Sequence, residues 1–126
     1  MGNDQSDAQT ASVAELTVDY WKLLKVCERL VAALPDDRRK RTEAQLRFSA
    51  GRLESHLRAL EIELHSFEGQ HFGPELPAVA INGDEFDSVQ ELIVDSALEP
   101  AVILRDKVLS NARVILRESE ADVSGN

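Results

Sequence analysis

Between Arg39 and Phe67 the chain spaces its apolar and small residues alternately four and three apart: Leu46, Ala50, Leu53, Leu57, Leu60, Leu64 and Phe67. This heptad spacing predicts a helix with one narrow apolar stripe, and it leaves Arg47, Arg52, Glu54, Arg58, Glu61 and Glu63 mostly off it. Gly51 is the one glycine in the run and costs about 1 kcal/mol relative to alanine. Such a stripe has to be covered, and that need organises the reading of everything around it.

The preceding segment is patterned to cover it. Ser12-Val-Ala-Glu15 forms a capping box, and Val13, Leu16, Tyr20, Leu23, Cys27, Leu30 and Leu34 repeat three and four apart. Trp21, Leu24 and Val31 widen this second seam beyond what a two-stranded coil needs, so the first helix is expected to touch more than one neighbour. Leu34-Pro35-Asp36-Asp37 ends it and starts the next, since proline suits a first turn and the aspartates suit the N-terminal dipole. Thr42-Glu-Ala-Gln45 is an alternative start. The short connection predicts an antiparallel hairpin over 12–68, one that dimerises into four helices. Residues 1–11 read as a disordered tail. Arg38-Arg39-Lys40-Arg41 is the one basic cluster, readable as a phosphate or acidic-partner site or as a solvated first turn.

Charge narrows the partners. The net charge is −9, and residues 69–126 hold eleven Asp and Glu against four Lys and Arg. That balance argues against nucleic acid and against an anionic membrane, and it suits a basic protein surface. The single cysteine, Cys27, leaves no intrachain disulfide and no thiolate cluster, and on a seam it reads as a small hydrophobe. With no secretory or membrane-spanning run, the expected compartment is cytoplasmic.

After Gly73-Pro74 the period changes. Ala78–Ile81, Glu91–Asp95, Ala101–Leu104 and Asn111–Leu116 read as strands, with a turn at Asn82-Gly83-Asp84 and a polar tip at Arg105-Asp106-Lys107. The expectation is α+β: a helical hairpin followed by a small antiparallel β domain over 69–117, with a flexible tail over 118–126. No phosphate loop, nucleophile elbow or metal-ligand spacing is found, so neither enzyme chemistry nor a metal or other cofactor is expected. His65 and His71 form no ligand constellation, although a pocket lined by them and nearby acids would favour a ligand binder.

Two stretches carry a family resemblance. Gly69-Gln-His-Phe72-Gly-Pro74-Glu-Leu-Pro-Ala78-Val79 resembles the segment of GrpE-type nucleotide exchange factors where the helical part meets the β domain. Leu104-Arg-Asp-Lys107-Val108-Leu109-Ser-Asn-Ala112-Arg-Val114 is similar to the closing strand pair of that family. The matches lie in the family's order and cover roughly residues 69–116. Gly73, Leu76-Pro77 and Ser110 depart from the aspartate, His-Glu and arginine that the family carries there, and its Gly-Tyr before the last strands is missing.

The resemblance implies a homodimeric co-chaperone or adaptor that binds an Hsp70-type ATPase and promotes ADP release. Leu16, Tyr20, Leu23, Cys27, Leu30, Leu34, Leu46, Leu53, Leu57, Leu60 and Leu64 would then form the dimer and helix seams. Gly69, Phe72, Pro74, Ala78 and Val79 would be hinge and core, Val108, Leu109, Ala112 and Val114 structural positions of the closing strand pair, and Arg105, Asp106 and Lys107 the partner contacts. The alternative from another class is a structural dimerisation module whose β unit docks an unrelated protein without affecting any nucleotide state.

Overall fold

The computed structural model describes residues 3–87 and 90–119. Helix α1 runs over Asn3–Ala32, free of glycine and proline throughout. It therefore starts well before the expected tail boundary: residues 3–11 are helical, and Ser12-Val-Ala-Glu15 lies inside the helix rather than capping it. Pro35 turns the chain, its carbonyl accepting from the Arg38 and Arg39 amides, and α2 follows over Asp36–Ala59 with two acids in its first turn. Thr42 is likewise an interior residue, its hydroxyl donating to the Arg38 carbonyl at 3.0 Å.

The heptad pattern overshoots the end of α2. The helix closes at Ala59, Glu61 takes a positive φ of 61°, and Ile62–His65 is strand β1. Leu60, Leu64 and Phe67 thus do not continue the helical stripe. The reason is that Ile62-Glu63-Leu64-His65 also alternates with period two, and β1 finds an antiparallel partner in β4 (Ala101–Leu104). Ladder bonds satisfy its backbone as well as helix would, and they bury Ile62 at the same time.

Among the described residues six strands form two three-stranded sheets. The first has the order β1-β4-β5, with β5 at Lys107–Ser110, and is antiparallel throughout. The second has the order β2-β6-β3, from Ala78–Ala80, Ala112–Glu118 and Leu92–Glu99. Here β3 is antiparallel to β6 while β2 is parallel, so the unit is mixed rather than purely antiparallel. The Asn82-Gly83 turn consequently closes no hairpin and opens a short 3₁₀ turn at Gly83–Glu85. Asn82 continues the β2 pairing with its side chain: its Nδ2 donates to the Leu116 carbonyl at 3.0 Å, and its Oδ1 accepts the Leu116 amide at 2.8 Å. β6 includes Glu118, and the Ser119 amide donates to the Glu91 carbonyl, so the expected tail begins late; residues 120–126 lie outside those described.

Two cores result. Ala14 and Val18 of α1, Leu57 of α2, Ile62 of β1 and Val102 of β4 form the first, with Val13, Leu53, Leu64, Leu104 and Leu109 around them. Val94, Ala101, Ala112, Val114 and Leu116 form the second, covered by Phe67, Phe72, Leu76 and Phe86 among others. Neighbouring residues of β4 serve different cores. Ala101 faces one and Val102 the other, both fully buried, because successive side chains of a strand point to opposite faces.

Candidate protein-binding surface

The β4–β5 hairpin turns on two residues, Arg105 and Asp106, with φ of 48° and 70°. Positive φ at both positions is the geometry of a type I′ turn, whose twist matches that of the flanking strands. Neither residue is glycine, so the turn is held from outside. The Arg105 amide donates to the Glu61 carbonyl at 3.2 Å, and its Nε pairs with the Glu61 carboxylate. Glu61 is itself the positive-φ residue between α2 and β1, so two left-handed joints brace each other. The expected contact residues Arg105, Asp106 and Lys107 are all exposed at this tip.

Beside the tip lies an open groove of about 850 Å³. Trp21 and Lys25 of α1, Leu57 and Arg58 of α2, and Arg105 and Asp106 of the turn are among its walls. The Lys25 ammonium sits 5.2 Å from the Trp21 ring centroid, a cation–π contact that keeps both side chains along the groove wall. Trp21, read from its seam as a packing residue, is thus half-buried at a surface. Glu61 was missed as a site residue because nothing in its own sequence position announces that an Arg forty-four residues on will pair with it.

The family-motif residues separate into two sets. Ala112 and Val114 are fully buried, while Phe72, Ala78 and Leu109 are partly buried against the cores. Val79 is exposed instead, on an outward-facing position of β2, and Val108 of β5 and Pro74, on a loop, are exposed as well. Gly69 is exposed at a φ of 82°, a conformation that suits glycine, and opens a segment laid along β3. There the Gly69 amide donates to the Val94 carbonyl and the Phe72 amide to the Leu92 carbonyl. A second groove, about 560 Å³, lies over this segment between Phe72, Leu76 and Phe86.

α1 carries apolar residues on two faces. One, with Ala14, Val18 and Val31, is buried within the chain. The other is the heptad seam: Leu16, Leu23 and Leu30 are 68%, 59% and 65% exposed, Tyr20 is exposed, and Cys27 and Leu34 are half-buried. On α2, Leu46 and Leu53 are half-buried and Leu57 is buried, while Leu60 beyond its end is exposed.

His65 of β1 stacks on Phe67 with ring centroids 5.7 Å apart, and His71 bridges to Ile93. Neither lines the two grooves described. Among the described residues no three His, Cys, Asp or Glu side chains gather as a metal site, and no helix is long and apolar enough to cross a membrane. Compared with known proteins, the chain matches no family model, no curated protein and no solved structure.

Proposed function

We propose that the chain is a GrpE-like cytoplasmic co-chaperone that promotes ADP release: a homodimer through the outer stripe of α1, presenting its β unit to an Hsp70-type ATPase. The observation that carries this reading is the second apolar face of α1. Leu16 to Leu30 spans roughly 21 Å of helix at 1.5 Å per residue, and three leucines on it are more than half exposed in the single chain. Leucine at every second seam position, with Tyr20 and Cys27 between, is the arrangement that a second helix covers by knobs-into-holes packing. A dimer of hairpins then carries two copies of the β tip on one rigid base.

No chemistry is required of such a protein. An exchange factor binds the opened, nucleotide-free state of its ATPase more tightly than the closed state, and the difference in affinity shifts the equilibrium. The acidic β unit would speed encounter with a basic patch on the ATPase. Ser110, where the family carries arginine, favours a second reading in which binding persists without exchange.

The test is the rate of labelled-ADP release from the Hsp70-type ATPase of the same organism, with and without the chain. Concentration-dependent acceleration is the expected result. Binding without acceleration selects the adaptor, and neither binding nor acceleration refutes the proposal. The contact residues are tested by Arg105→Asn, Asp106→Gly and Lys107→Thr together, which remove the three side chains while keeping a turn-forming Asn-Gly pair. Binding should be lost with the dimer intact.

A further inference from the structure

The side of α2 turned away from the first core has its own character. At 100° per residue, Arg38, Arg41, Phe48, Arg52, Ser55 and His56 fall within a sector about 100° wide, opposite the buried Leu57. All six are exposed, Phe48 at 67%. Asp37 in the first turn is the one acid on this sector; Glu43 and Glu54 lie on another side of the helix. Arg39 is the paired member of the basic run, to Asp36 at 2.6 Å and Glu43 at 3.8 Å. Arg38, Arg41 and Arg52 form no ion pair with any described residue.

This is a local reversal of sign. The α2 segment 36–59 holds seven Lys and Arg against four Asp and Glu, whereas residues 61–119 hold four against twelve. Unpaired arginines on an otherwise acidic molecule attract an acidic ligand and steer its approach. Around Phe48 the helix is bare: Ala44, Gly51 and Ser55 are small, and a side chain at Gly51 would meet nothing within 4 Å. The phenylalanine therefore stands as a knob over open space, with Arg52 one turn on and Arg41 two turns back along the same face. An exposed aromatic with arginines along its face is the composition of an interface hot spot rather than of a merely solvated face.

We infer that this face docks an acidic segment of a partner protein, one that brackets an apolar residue for Phe48 with Asp and Glu for Arg38, Arg41 and Arg52. A nucleic acid is the less suited polyanion. Its affinity grows with the number of phosphates neutralised, only three arginines are free here, and the acidic β unit repels a strand extending past the helix. The inference stands apart from the proposed ATPase contact, which uses the β tip.

The test is fluorescence anisotropy with the full chain and a labelled peptide of glutamates around a central leucine–tryptophan pair. Saturable binding that weakens with added salt is expected. It should fall about tenfold in Arg41→Ser/Arg52→Ser and about tenfold in Phe48→Ala. These positions are exposed, so helical circular dichroism should be unchanged in each variant. A companion peptide with serines in place of leucine and tryptophan should bind more weakly. Absence of peptide binding, binding insensitive to the variants, or tighter binding by oligothymidylate or phosphatidylserine vesicles would each overturn the inference.

Discussion

Four non-glycine residues among those described hold a positive φ: Glu61, Phe67, Arg105 and Asp106. Each lies at a joint between elements, and a left-handed conformation costs an L-residue about 1–2 kcal/mol. At Asp106 the side chain forms no ion pair with a described residue that would offset this, and the turn type accepts glycine there. Asp106→Gly is therefore expected to stabilise the protein by about 0.5–1 kcal/mol, after the extra unfolded-state entropy of glycine is set against the relieved strain. Thermal unfolding should show a midpoint a few degrees higher, and a lower midpoint would mean that the carboxylate is used in the fold. Arg105→Gly should gain less, because it also loses an exposed ion pair with Glu61 worth up to about 1 kcal/mol. If the tip contacts a partner, Asp106→Gly should raise stability while lowering affinity, the pattern of strain retained at a functional site.

At the scale of elements, α1 buries one apolar face in the chain's own core and leaves another on the surface. Val18 is buried in the first core, so Val18→Asp places a charge without a partner there and should cost about 3–5 kcal/mol, enough to abolish the native circular dichroism. Leu23, by contrast, is exposed in the single chain. Leu23→Glu should leave the fold within about 1 kcal/mol and convert a dimer to a monomer in sedimentation velocity. Were Leu23→Glu to sediment like the parent, the seam would not be the dimer interface. The start of α1 gives a second prediction. Asp7, Ala8, Gln9 and Ala11 are exposed, and removal of residues 1–11 makes Ser12 the N-cap with Glu15 at N3. The capping box then satisfies the new helix end, and chemical denaturation should show a loss of no more than about 1 kcal/mol.

That box shows how far the sequence could be read. The hairpin, its turn at Pro35 and the α1 seam from Leu16 to Leu30 followed from spacing, because helix periodicity is a local signal; that seam was expected to cover α2, whereas Ala14, Val18 and Val31 on another side of α1 are the buried ones. The ends of the helices did not follow. Ser12 is a good cap that the chain passes through, and Leu57, Leu60, Leu64 and Phe67 fit a heptad although the helix stops at Ala59. Ile62 and Leu64 satisfy both periods, and only the distant β4 strand decides between them. The parallel β2–β6 pair was hidden for the same reason, since Asn82-Gly83 is a hairpin signal wherever the following strand is free to fold back. Arg105, Asp106 and Lys107 were legible as a polar tip, whereas the bracing by Glu61 and the groove beside Trp21 depend on tertiary contacts alone.

For the whole molecule, the decisive question is whether two cores make one folding unit. β4 argues that they do. Ala101 and Val102 are adjacent, fully buried, and belong one to each core, and the buried Pro100 joins β4 directly to the end of β3. Lys22 of α1 also meets Glu99 at 3.2 Å, but both are partly exposed, so this contact adds little to the coupling. β4 cannot shift without displacing side chains of both cores. Val114→Ala, deep in the second core, removes two buried methyls and should cost about 2 kcal/mol. Trp21 sits on α1 between the groove walled by Leu57 and Ile62 of the first core and a cleft lined by Ala97 and Leu98 of β3, so its fluorescence reads how α1 packs on the strands. If the protein unfolds as one unit, Val114→Ala must lower the denaturant midpoint seen by Trp21 fluorescence as much as that seen by far-ultraviolet circular dichroism, with the slope unchanged. If the Trp21 transition stays at the parental midpoint while the circular dichroism splits, the β4 joint does not couple the cores. The β tip would then move independently of the helices, and a dimer could not hold its two tips in a fixed relation.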